Sequence, residues 1–154
     1  MTSLCCDVTR SLQGKTLVTA ESLTGGGIGA ALTSVSGSSA VYKGGIISYT
    51  NAVKNRILGV PQEVLDQYGA VSEPVAKAMA EGVRRLLDAD IAVSVTGLAG
   101  PGGDEYGNPV GTVFIGYSDA DITEVKHFLF CGDREDIRKQ TAEEALKLVL
   151  MNVK

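Results

Sequence analysis

Residues 91–96, Ile-Ala-Val-Ser-Val-Thr, form a run that is almost wholly apolar and β-branched. A strand with no polar face has to be covered on both sides, so this run predicts a central strand in a sheet with helices above and below. It ends in Gly97-Leu98-Ala99-Gly100-Pro101-Gly102-Gly103, a glycine-rich loop at a strand's carboxyl end, where open α/β sheets bind ligands. A second junction of the same kind lies earlier. The run Thr16 to Thr19 breaks at Ala20 into Glu21-Ser22-Leu23-Thr24, and three glycines then lead into the apolar stretch Ile28 to Val35. This reads as strand, polar turn and a helix over 25–35, with Ser22 and Thr24 at the strand's carboxyl end. The N–H groups of the helix start are expected to be free there for an anion or a developing oxyanion. The competing reading is a βα turn with a Ser/Thr cap and no chemistry.

Around these two junctions the other elements follow from periodicity and punctuation. Leu4, Val8 and Leu12 recur at helical spacing before Gly14. Gly44 to Thr50 reads as a second strand carrying Ile46, Ile47 and Tyr49, and Asn51 is placed to cap a short helix over 52–58 that bears Lys54. Pro61 opens another helix over 62–67, and Ser72-Glu73-Pro74 starts a longer one with Val75, Met79, Val83 and Leu86 on its apolar face. Val110 to Tyr117 and Ile122 to Phe130 are predicted as two strands joined by a tight turn at 118–121, and a final helix runs from Asp133, with Glu143 and Lys147 at a supportive spacing. Helix, strand, helix, strand, helices, strand, hairpin, helix is the order of a mixed α/β sandwich rather than a uniform βαβ repeat. Strand order does not follow from it.

Bulk properties remove several function classes. A length of 154 residues with 44% hydrophobic and 21% charged residues suits one globular domain. The net charge of -4, with no basic stripe, argues against a nucleic-acid surface. No apolar run approaches the ~20 residues of a membrane span, and the first residues lack the pattern of an export signal, so a soluble, unexported protein is expected. Cys5, Cys6 and Cys131 make an odd count without metal spacing. They read as free thiols in a reducing cytoplasm, and with a single histidine zinc is not expected. The near-continuous apolar end Leu146, Leu148, Val149, Leu150, Met151 suggests an interface and hence a homo-oligomer.

There is no Walker loop, no H-E-x-x-H and no Ser-x-x-Lys. Tyr49 and Lys54 are one residue too far apart for a short-chain dehydrogenase pair, and the lone histidine, His127, sits in an apolar-rich run that gives it a packing or surface role. What remains is Ser22 in the first loop and Tyr49, Asn51 and Lys54 after the second strand. Serine needs a base, and with no usable histidine the candidate is lysine, which serves only when neutral. Taking a lysine pKa from about 10.4 to about 7 requires burial or a neighbouring cation. Lys54 follows an apolar strand; the alternative is a solvated lysine on a helical turn.

Several ordered motifs together are similar to one family. Ala20-Glu21-Ser22-Leu23-Thr24-Gly25-Gly26, Gly37-Ser38-Ser39, Tyr49-x-Asn51-x-x-Lys54, Leu58-Gly59-Val60, Gly69 to Glu73, Gly97-x-Ala99-Gly100-Pro101 and Pro109 to Val113 resemble the CinA C-terminal domain family from about Thr19 to Arg134. The resemblance implies a three-layer α/β/α domain hydrolysing the carboxamide of nicotinamide mononucleotide to the acid and ammonia, without metal or cofactor. By motif, Ser22 would be the nucleophile, Lys54 its base and Tyr49 a proton-relaying or orienting partner. Leu23 stands where the family's motif often has cysteine, a position without assigned chemistry. The larger N-terminal domain of full-length CinA proteins has no counterpart here, so the stand-alone deamidase form is expected. Amide hydrolysis also needs oxyanion donors, for which the Thr24, Gly25 and Gly26 N–H groups are candidates, and a phosphate site, for which Gly97 to Gly103 and Arg134 are placed. Asn51 belongs to the same predicted substrate site, and which glycine loop takes phosphate stays open. A binding module is the alternative: the same loops would hold a nucleotide or sugar phosphate without turnover, with Lys54 as a cation.

Overall fold

The computed structural model describes residues 1–153. In chain order the elements are α1 (Thr2–Ser11), β1 (Leu17–Glu21), α2 (Gly27–Thr33), a 3-10 turn at Ser38–Ala40, β2 (Tyr42–Ile47), α3 (Asn51–Arg56), α4 (Gln62–Tyr68), α5 (Glu73–Leu86), β3 (Ile91–Gly97), β4 (Thr112–Ser118), β5 (Thr123–Leu129) and α6 (Arg134–Met151). The five strands form one sheet in the order β2-β1-β3-β4-β5. β1 is parallel to both β2 and β3, whereas β4 and β5 run antiparallel. This is the mixed α/β sandwich expected from the element order.

Alternation along the strands assigns the two faces. Leu17, Ile91, Val93 and Val95 join one core with α1, α2 and α6; Val18, Ala20 and Ala92 join another with Leu58, Val60, Leu65 and the α5 residues Val75, Met79 and Val83. The continuous apolar sequence of β3 is thus explained by burial on both sides. Ser94 and Thr96 are the polar exceptions; the Thr96 hydroxyl donates to the Ala70 carbonyl at 2.8 Å, and the Ser94 hydroxyl donates to the Ala76 carbonyl of α5 at 2.6 Å. Opposite it on β4, Gly116 lets α5 lie close, since a Cβ there would stand 2.7 Å from the same carbonyl.

β1 and β3 are neighbours whose chains leave in opposite directions, β1 through α2 to β2 and β3 to β4, so their carboxyl ends open a crevice at a topological switch point. One irregularity sets the register there. Leu17 pairs with Tyr42 but Val18 pairs with Gly44, so Lys43 is an extra residue that bulges from the edge strand, and beyond it Glu21 lies opposite Ile47.

Several local expectations change. β2 lies two to three residues earlier than expected because the chain turns off the sheet at Ser48, whose N–H makes a last bond to the Glu21 carbonyl at 2.7 Å. Thr50, not Asn51, caps α3, its side chain accepting from the Val53 N–H. Leu86 is half exposed, and Leu87 takes its place against the core. Lys147 pairs with Glu144 rather than Glu143. The run 146–151 is not an exposed apolar face: Leu146, Leu148 and Val149 are core residues, Leu150 packs against them and Met151 alone of the apolar residues is exposed, so this run gives no support to a homo-oligomer. His127, on the edge strand β5, stacks on Phe114 with ring centroids 4.5 Å apart. Among the described residues no helix is long and apolar enough to cross a membrane.

Candidate active site

The crevice between β1 and β3 is a cleft of about 320 Å³. Ser22, Tyr49, Asn51, Lys54, Gly97, Gly100 and Arg134 all line it, although they come from four separate parts of the chain. Among the described residues its charged side chains are Lys54 and Arg134, and no carboxylate borders it, in a chain whose net charge is -4. The local field therefore favours an anion. A second cleft of about 310 Å³ at the opposite end of the parallel strands, lined by Arg84, Asp88, Asp90, Tyr117 and Asp119, pairs no nucleophile with a base.

At the bottom of the cleft the Lys54 ammonium lies 3.0 Å from Ser22 Oγ and 2.6 Å from the Ser48 carbonyl, donating to both. Lys54 is 2% exposed and Ser22 7% exposed. Burial disfavours the ammonium and lowers the Lys54 pKa from 10.5 to about 8. The lysine reaches Ser22 because two hydrogen bonds link the ends of the parallel strands β1 and β2 and a third holds the lysine to that junction. The Ser48 N–H and hydroxyl both bond the Glu21 carbonyl, and the Ser48 carbonyl then receives Lys54. The sequence reading had no place for Ser48, because its contribution is mostly main chain.

At the rim, Tyr49 is largely exposed and its hydroxyl accepts from Arg134 at 3.1 Å, while a second Arg134 N–H donates to the Gly100 carbonyl at 2.7 Å. Tyr49 is thus joined to Arg134 and not to Ser22 or Lys54.

The expected anion cradle at the start of α2 is filled from within the chain. Glu21, 2% exposed, accepts the Ile28 and Gly29 N–H groups at 2.9 and 3.0 Å and the Thr24 hydroxyl at 2.6 Å. The Gly25 N–H donates to the Ser22 carbonyl, and Gly26 is the left-handed residue, φ 101°, before α2. Thr24, Gly25 and Gly26 do not line the cleft; they form the turn that carries Ser22. The signal for this was present in the sequence. A helix opening on glycines has no Ser, Thr, Asp or Asn of its own as a cap, so its orphan N–H groups need another acceptor, and Glu21 is the carboxylate in reach. The outer side of the turn is held by Arg138 of α6, whose Nε and Nη2 donate to the Leu23 and Thr24 carbonyls at 2.9 and 3.2 Å.

Comparison with known proteins places this architecture. The model of the CinA C-terminal domain matches residues 3–153. The chain belongs to the CinA C-terminal domain family. A CinA-like protein of Endomicrobium trichonymphae is 50% identical over 135 residues, covering 88% of this chain and 32% of the relative. A putative competence-damage inducible protein of Bacillus pumilus is 46% identical over 151 residues, covering 97% and 36%. This chain spans about a third of the length of these curated relatives. Among solved structures, competence damage-inducible protein A of Klebsiella pneumoniae superposes with a TM-score of 0.96 at 37% identity, covering 98% of this chain and 95% of that one. The competence/damage inducible protein CihA of Agrobacterium tumefaciens gives 0.91 at 38% identity, covering 97% and 93%. The α/β/α architecture implied by the motifs is therefore that of solved CinA-family domains.

Proposed function

We propose that this CinA C-terminal domain is an amidohydrolase that converts nicotinamide mononucleotide to nicotinate mononucleotide and ammonia. The observation that carries the reading is the buried pair: a serine hydroxyl 3.0 Å from a lysine amine whose pKa burial has lowered to about 8. A lysine that was merely structural would gain nothing from being desolvated beside a hydroxyl.

In this reading neutral Lys54 takes the Ser22 proton as Oγ adds to the carboxamide carbon. The tetrahedral adduct then expels its nitrogen, which leaves as ammonia after receiving that proton from Lys54, and Ser22 is left as a nicotinoyl ester. Water adds to the ester carbon, giving a proton to Lys54. Collapse releases the acid as Lys54 returns a proton to Ser22 Oγ. The substrate's phosphate is assigned to the rim, where Arg134 spends two of its five N–H donors on Tyr49 and Gly100 and keeps the others for a ligand. The amide then lies at the Ser22 end. Tyr49 orients Arg134 in this scheme rather than relaying protons.

The test is release of ammonia from nicotinamide mononucleotide, its riboside and free nicotinamide by the purified chain. Turnover of the mononucleotide well above the other two is expected. Tight binding of the mononucleotide without ammonia release would replace the hydrolase by the binding module.

A further inference from the structure

We infer that Glu21 and Arg138 are positioning residues that hold the Ser22 turn from opposite sides and thereby set the aim of Ser22 Oγ; this rests on the nucleophilic role proposed for Ser22. Neither side chain touches the cleft. Glu21 precedes Ser22 and grips the inner side of the turn through the Thr24 hydroxyl and the first N–H groups of α2. Among the described residues no lysine, arginine or histidine forms an ion pair with Glu21, so its charge is balanced by hydrogen bonds and the helix dipole. Such an arrangement favours one backbone path, since a carboxylate stripped of water is satisfied only while these three donors, together with the more distant Thr19 hydroxyl at 3.4 Å, face it.

Arg138 grips the outer side. Its two bonds fix the acceptor ends of the peptides that carry the Thr24 and Gly25 N–H groups, and because those peptides are trans, the N–H ends face away from α6. Gly25 has φ 58° and Gly26 101°, so two of the residues after Ser22 are glycines free to take other conformations. A turn with that freedom, next to a reacting hydroxyl, is the place where external restraint matters for rate. Arg138 supplies it from 115 residues downstream with a side chain that is exposed on α6.

The test separates aim from fold and from substrate. Arg138→Ala and Glu21→Gln are compared with wild type in two assays: ammonia release from nicotinamide mononucleotide, and the rate at which a fluorophosphonate labels Ser22, read by mass spectrometry. In labelling, Oγ bonds to phosphorus, fluoride leaves and the serine proton passes to Lys54. Since a misplacement of about 1 Å can cost about 100-fold, both variants should lose about 10- to 100-fold in kcat and in labelling rate, with KM within about twofold. Melting of Arg138→Ala should be nearly unchanged, as expected for an exposed side chain, and Arg138→Lys or millimolar guanidinium added to Arg138→Ala should restore part of both rates. The activity rise near pH 8 should stay in place, because Lys54 is untouched. Equal labelling and turnover in folded Arg138→Ala would overturn the proposal, as would a loss confined to KM. Labelled wild-type enzyme that releases no ammonia would sink the substrate assignment alone, while a variant labelled more slowly would still support the positioning. Wild type that takes no label at Ser22 overturns both.

Discussion

Lys54 provides the sharpest test, because the same burial that would make it the proposed base also penalises the folded chain. With a pKa of about 8, about one Lys54 in ten is neutral at pH 7, against about one in three thousand for an amine at 10.5, a gain of about 300-fold in active base. Activity as kcat/KM should therefore climb about tenfold per pH unit below about pH 7.5 and level off above about pH 9. Lys54→Arg keeps a cation that cannot release its proton and should be nearly inactive. Stability provides an independent reading of the same shift. Below pH 8 both folded and unfolded chains hold the proton, so the folded state bears the full cost of a buried ammonium. Between about pH 8 and 10.5 the unfolded chain binds more protons than the folded one, so stability rises with pH. Relative to Lys54→Met, in which the titration is absent, wild type should gain about 3 kcal/mol between pH 7 and 10.5 in denaturant titrations. The loss of the bond to the Ser48 carbonyl in the variant is the same at every pH and cancels from the slope. A pH-independent difference between the two proteins, or Lys54→Arg with near-normal turnover, would refute the reasoning.

Ser22→Ala should abolish ammonia release while leaving the far-ultraviolet circular dichroism and melting point close to wild type; more than a few per cent residual turnover would exclude the covalent route. Arg134→Ala should raise KM for the mononucleotide by the ~1.5–3 kcal/mol of a charged hydrogen bond and leave KM for the riboside unchanged, and equal effects on both would move the phosphate elsewhere. Asp133 caps α6 with Asp136 in a reciprocal box, so Asp133→Ala should lower stability by about 1 kcal/mol, seen as a lower urea midpoint at unchanged slope.

The layers were legible because apolar period and helix punctuation are local: β3 announced burial on two faces, and the pattern at Ser72-Glu73-Pro74 started α5 where expected. The meeting of Ser22 with Lys54 was legible only through family motifs, since nothing in the spacing of 32 residues says that two strand ends lie side by side. Three contributions were hidden for physical reasons. Ser48 acts mainly through its main chain, which is the same for every residue type. Arg138 reaches the turn from the far end of the chain. Glu21 was visible as a residue, but the helix start it occupies was read as vacant, and only the lack of a capping side chain at Gly26 could have shown otherwise. The apolar end of α6 was misread because a helix covered by α1 on one side and the sheet on the other is apolar around much of its circumference, as a protein interface would be.

The bulge at Lys43 bears on how this chain can change in length. It separates the lower end of β2, where Tyr42 meets Leu17, from the upper end, where Ile47 meets Glu21 and Ser48 leads to Lys54. Insertions or deletions in the loop before Tyr42 can be absorbed by gaining or losing the unpaired residue at this point, so the upper pairing stays in step. The same change between Gly44 and Ser48 has no such outlet, and would turn the Ser48 carbonyl to the other side of the strand and carry Lys54 away from the serine. Tolerance to indels should therefore change abruptly within one strand, with Lys43 as the boundary.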